Sequence, residues 1–129
     1  MILDHIGFAV GSYETSKAFY AAALAPLGIV LVAEVDQGED PGAKACGFGR
    51  EGKPEFWLGS EGRTSRPIHV CFLARSRAEV DAFHKAALAA GGRDNGPPGI
   101  RAHYHPDYYG AFVLDPDGHN IEAVCHKPE

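Results

Sequence analysis

A glutamate in the middle of a short apolar run is the first residue in this chain that calls for chemistry. Asn120-Ile121-Glu122-Ala123-Val124-Cys125 reads as a strand launched from the turn Asp115-Pro116-Asp117-Gly118. Pro116 presets φ, the aspartates can bond back to the backbone, and Gly118 takes a positive φ. With a side-chain period of two, Ile121, Ala123 and Cys125 point one way, and Asn120, Glu122 and Val124 the other. A carboxylate at that place is costly unless it faces solvent or meets a partner charge or a metal. Two histidines, His5 and His69, form a second group, because they occupy equivalent positions of an internal repeat. A third group is Arg101, His103, Tyr104, His105, Asp107, Tyr108 and Tyr109, ahead of the last two strands. The guanidinium fork of Arg101 matches a carboxylate or a phosphate.

The repeat is what positions these residues. At an offset of 64, His5 matches His69, Phe8 matches Phe72, Ser12 matches Ser76 and Ala18-Phe19 matches Ala82-Phe83. Ala22-Ala23-Leu24-Ala25 then matches Ala86-Ala87-Leu88-Ala89, and Gly28 matches Gly92, without a gap. Two copies of one supersecondary unit follow from this agreement. Each copy opens with a strand, expected at Ile2–Val10 and Ile68–Ala74. Ser12 and Ser76 are expected to cap helices at 13–26 and 77–90, with Glu14 and Glu79 in the first turns. Apolar positions recur at helical spacing in both, as at Phe19 and Ala23 or Val80 and Phe83. Pro26 and Gly28 close the first helix, and Gly91-Gly92 the second.

Three strands complete each copy. In the first they are expected at Ile29–Val35, Ala45–Gly49 and Glu55–Gly59, with a polar loop at 37–43. In the second, 93–99 is expected as loop, followed by strands at Ile100–Tyr104, Tyr109–Leu114 and Asn120–Cys125. The fold class is therefore α+β: a single domain over 1–129, with module one at 1–60, a short polar linker at 61–66 and module two at 67–126.

Composition excludes several classes. At 129 residues, 45% hydrophobic and 22% charged, the chain has the makeup of one globular domain. A net charge of −5 argues against nucleic acid or an anionic membrane surface as partner. No apolar run approaches the roughly 20 residues of a membrane span. The first five residues lack the basic start of a signal peptide. Cys46, Cys71 and Cys125 read as reduced thiols, and the chain as cytoplasmic. His84 and His119 have no partner of the same kind in the repeat and are expected at the surface. His126 follows the last strand and could support the site from behind.

The doubled βαβββ unit, the histidine on each first strand and the closing Asp-Pro-Asp-Gly-x-x-Ile-Glu resemble the vicinal oxygen chelate superfamily over essentially the whole chain. That group holds glyoxalase I, extradiol dioxygenases, fosfomycin-resistance enzymes, methylmalonyl-CoA epimerase and bleomycin-resistance proteins. The resemblance implies two modules curled into an open eight-stranded cup around a divalent metal (Fe, Zn, Ni or Mn). Carried over, the metal ligands fall on His5, His69 and Glu122. Such a set leaves coordination positions open for two adjacent substrate oxygens. Glu122, His103, His105, Tyr108 and Tyr109 are then the acid/base candidates, and Arg101, Phe56 and Trp57 the substrate-binding ones. Aligning Glu51-Gly52 on Asp117-Gly118 sets Phe56 opposite Glu122, in the place where glyoxalase I has a second Glu, and leaves Glu55 on the rim. The implied function is a metal-dependent enzyme of dioxygenase-like or lyase/isomerase type acting on a small molecule. The alternative is a metal-free binding protein of the bleomycin-resistance kind. Unpaired sheet edges imply a homodimer, with the cup built in one chain or across two.

Overall fold

The computed structural model describes residues 3–36, 43–62 and 67–129. Most of the expected loop at 37–43 and of the linker at 61–66 lies outside the described residues.

The chain runs β1 (Ile6–Ala9), α1 (Tyr13–Leu24), a 3-10 turn (Ala25–Leu27), β2 (Val30–Asp36), β3 (Lys44–Gly49) and β4 (Phe56–Gly59). It continues with β5 (His69–Leu73), α2 (Arg77–Ala89), β6 (Arg93–Ile100), β7 (Tyr109–Leu114) and β8 (Asn120–Cys125). Two mixed four-stranded sheets result, ordered β1-β4-β3-β2 and β5-β8-β7-β6. Each first strand pairs in parallel with its last, and the others are antiparallel.

Ser12 and Ser76 cap the helices as their sequence suggests, each side chain accepting from the backbone N–H three residues on. Gly28, in the left-handed region at φ 73°, ends the first helical segment. Both helices lie on one side of the sheets. Phe19, Tyr20, Ala23 and Leu24 of α1, with Val80, Phe83 and Ala87 of α2, pack in a single apolar core. The core side of the sheets is set by alternation: Phe56 and Leu58, Ile121 and Ala123 point in, so Trp57 and Glu122 point to the opposite, open face.

β6 departs from expectation. Residues 93–99, read as loop from Asn-Gly-Pro-Pro-Gly, form a strand, and 101–108 is a turn region instead. The prolines are tolerated because β6 is an edge strand whose register on β7 slips twice, between Asp94 and Gly96 and between Gly96 and Gly99. β1 is also shorter than expected, starting at Ile6.

The turn that precedes β8 does more than reverse the chain. Asp115 Oδ1 accepts from the backbone N–H of Asp117 and of His119, and its Oδ2 accepts from Tyr20 of α1 at 2.5 Å. Asp117 accepts from Gly11 N–H ahead of α1. His119, expected at the surface, is 1% exposed. It packs edge-on against Phe8 of β1, and its Nδ1 accepts from Ile68 N–H. The Asp-Pro-Asp-Gly-His turn is thus a clasp between the two modules.

Candidate functional site

Glu122 is the centre of the open face of the second sheet. Its cross-strand neighbours are Cys71 on β5 and Phe112 on β7. Only 2% of Glu122 is exposed, and the Tyr108 hydroxyl donates to its Oε2. Its ion-pairing neighbour among the described residues is His69, whose Nε2 stands 3.1 Å from Oε1.

The hydrogen bonding of His69 fixes its tautomer. Nδ1 lies 3.0 Å from the carbonyl oxygen of Asn120, which can only accept. Nδ1 therefore carries the proton, and the lone pair of a neutral ring sits on Nε2, aimed at a carboxylate oxygen. Two acceptors 3.1 Å apart are tolerable only with a proton or a cation between them. An N–H donated to a backbone carbonyl is also the usual way a metal-binding imidazole is oriented. Phe112 stacks on the His69 ring and helps hold that plane.

Burial first, and then the Glu122 carboxylate, push the Tyr108 phenol well above its ordinary value, so it remains a donor. Burial first, with Glu122 second, also raises the Cys71 thiol, which is therefore not an activated nucleophile. Tyr108 is flanked by His105 and His126. His105 Nδ1 accepts from Asp107 N–H, so its Nε2 carries the proton and donates to His126 Nδ1 at 2.7 Å.

The remaining sequence candidates divide. His5 is exposed, and its Nδ1 is engaged with Asp4 at 2.8 Å. It lines a crevice of about 260 Å³ between β1 and β5 together with His69, Cys71 and Glu55. His5, His69 and Glu122 do not bring three ligand atoms within 4.8 Å of one another. Among the described residues the group that does is Asp115, Asp117 and His119. Its atoms are committed to the clasp described above, which is sufficient reason for their proximity.

Tyr109 faces the helix side, donating to Asp81 of α2 at 2.6 Å. His103 packs on Tyr104 in the exposed turn. Arg101 gives its guanidinium to the carbonyls of Pro97, Gly99 and Gly110 and lies over Phe112, so it builds the wall beside Glu122.

The sheet register corrects one alignment. Gly7 pairs with Trp57 where Cys71 pairs with Glu122, so Trp57, not Phe56, stands in the place equivalent to Glu122. Phe56 is 2% exposed and packs on Tyr20 and Phe72. The same slip moves Glu55 to the parity of Trp57, facing the crevice.

Sequence reasoning missed His126 as a direct partner of His105, and Cys71 as the neighbour of Glu122. The second was within reach, since Cys71 follows His69 by two and must share its face.

Comparison with known proteins agrees with the fold. The family model described as the glyoxalase/bleomycin resistance protein/dioxygenase superfamily matches residues 2–123. A glyoxalase/bleomycin resistance protein from Albidiferax ferrireducens is 30% identical, with a TM-score of 0.73 over 99% of this chain and 100% of that one. Glyoxalase I from Zea mays shares the fold at 16% identity and a TM-score of 0.73, covering 98% of this chain and 45% of that one. A family enzyme from Burkholderia phytofirmans matches at 16% identity and a TM-score of 0.68, covering 96% of this chain and 98% of that one. No curated protein matches the sequence.

Proposed function

Because the chain belongs to the glyoxalase/bleomycin resistance protein/dioxygenase superfamily, we propose that it is a divalent-metal-dependent enzyme acting on a small molecule with two adjacent oxygens. The observation that carries this reading is the facing pair of acceptors: the Nε2 lone pair of His69, 3.1 Å from the oxygen of a buried Glu122. A divalent ion would be held by that pair, and His5, which lines the same crevice as His69, is the candidate third ligand. When bound, the ion supplies Lewis acidity to the two substrate oxygens.

The chain's own residues do the rest. Asn120 and Phe112 hold the His69 ring in one plane. Tyr108, kept protonated by burial, gives its hydroxyl proton to Glu122 Oε2 and so orients that carboxylate towards the pair. His105 and His126 hold a proton between their facing ring nitrogens, one ring contact farther out.

The test is calorimetric titration of the metal-free protein with Zn(II), Ni(II), Mn(II) and, without oxygen, Fe(II). One of them should bind in the micromolar range or tighter, and both His69→Ala and Glu122→Gln should weaken it by at least 100-fold. Equal, weak binding to all three proteins would sink the metal site. A second reading is favoured by the engagement of His5 with Asp4: a binding protein in which a protonated His69 simply pairs with Glu122. It gains if no ion binds but a small molecule does.

Assembly is read as a homodimer. The outer strand β2 exposes Val30, Leu31 and Val35 on an edge that no strand among the described residues covers, which proteins usually protect. Sedimentation at micromolar concentration showing only monomer would remove this part of the reading.

A further inference from the structure

The two modules present different rows on the open face. In module two the row across the sheet is Cys71, Glu122, Phe112. In module one the equivalent row is Gly7, Trp57, Gly47. Both cross-strand neighbours of the tryptophan are therefore glycines, and the indole uses the room. A Cβ on Gly47 would stand 2.9 and 3.0 Å from Cε2 and Cδ2, the ring-fusion carbons, and 2.7 Å from Cβ of Pro54. The ring thus lies flat over the Gly47 backbone beside Pro54 and is only half-buried.

The indole borders a cavity of about 660 Å³. The next row on the same face is Ala9, Gly59 and Ala45, with Val35 of β2 beyond, so the floor stays flat and apolar. Asp4 and His5 line both this cavity and the crevice that holds His69 and Cys71, so the two spaces adjoin. Of the charged residues on the lining, Asp4, Lys53 and Glu61, the first two hold each other, Lys53 bonding the carboxylate and the carbonyl of Asp4.

A flat π-surface beside a flat backbone floor suits a planar ring. A puckered or branched group would leave voids against it and lose the stacking geometry. We propose that the module-one half of the open face is a subsite for a flat aromatic ring stacked on Trp57, so that the substrate is an aromatic compound whose oxygens point towards Glu122. This extends the functional reading above and rests on it for the orientation of the substrate, but the ring subsite itself requires no metal.

Trp57 is the single tryptophan of the chain, so its indole N–H gives one resonance in an amide-proton correlation spectrum. p-Cresol, with one oxygen, serves as the probe, and 4-methylcyclohexanol as its non-planar match. Both are titrated into the protein in the presence of EDTA. The expected result is a saturable shift of the indole peak by p-cresol, with the cyclohexanol about tenfold weaker. Trp57→Phe should retain p-cresol binding, read at the backbone amides of Ala9 and Ala45. Trp57→Leu should weaken it about tenfold, and Ala9→Leu, which fills the floor, should abolish it. Equal binding of the two probes, shifts confined to other regions, or no binding up to the solubility of p-cresol would each overturn the proposal. Because metal is absent throughout, failure of the metal site does not alter these outcomes, and failure here leaves the metal titration standing.

Discussion

The hydrogen bond from Tyr20 to Asp115 is the most exposed point of the reasoning about the clasp, and Tyr20→Phe tests it with the removal of one oxygen. Both residues are buried, at 0% and 2% exposure. Asp115 Oδ1 is satisfied by two backbone N–H groups, but the hydrogen-bond donor to Oδ2 is Tyr20. The ring itself remains in place, packed on Phe19 and Phe56, so no cavity larger than a hydroxyl is made. Loss of a hydrogen bond to a buried carboxylate costs about 1.5–3 kcal/mol. A chain of this length unfolds with an entropy of about 0.27 kcal/mol/K, so Tm should fall by about 5–11 °C. Thermal unfolding followed by circular dichroism reads this directly. In an Asp115→Asn background the same substitution should cost about 1 kcal/mol or less, because the charge is gone. A drop below about 2 °C in the Asp115 protein, or an equal drop in both backgrounds, would refute the claim that this carboxylate ties α1 to module two.

Gly47→Ala should cost about 1–3 kcal/mol, since its Cβ has no room beside Pro54 and the indole, and it should move the single indole resonance. A silent spectrum would mean the ring does not lie over that glycine. Four of the five tyrosines, Tyr13, Tyr20, Tyr108 and Tyr109, have phenols raised above 10, the first three chiefly by burial and Tyr109 chiefly by its bond to Asp81. The folded state therefore holds these protons more tightly than the unfolded one. Its stability is full below pH 10 and declines as pH rises above it. Phenolate absorbance of the native protein above pH 10 should lag far behind that of the unfolded chain, and coincident curves would refute the assignment.

Much of this fold is legible because its signals are local and doubled. Ser12 and Ser76 cap as their types suggest, and β7 and β8 begin and end where alternation puts them. Other features depend on context that pattern does not carry. The prolines of β6 signal a loop, and only its edge position makes them compatible with a strand. The register error at Phe56 has its origin in the turns. In module one both Glu51 and Gly52 have positive φ, 54° and 78°, whereas in module two the positive φ falls on Gly118 alone. The first turn therefore meets its strand one residue later than the second, and a one-residue change swaps the faces. Glu122 was legible as a mid-strand carboxylate. The burial of His119 was not, because its partners Phe8 and Ile68 lie far away in sequence.

The contrast between the Gly7-Trp57-Gly47 row and the Cys71-Glu122-Phe112 row has a bearing on how such a protein changes over generations. A duplicated unit inherits every position twice, and here the copies have parted at equivalent places into one that carries shape and one that carries charge. Mutations at 7, 47 and 57 reshape one wall while leaving the carboxylate and its tyrosine untouched. Those at 71, 112 and 122 do the reverse. The two rows can drift separately, because they are encoded in different halves of the gene.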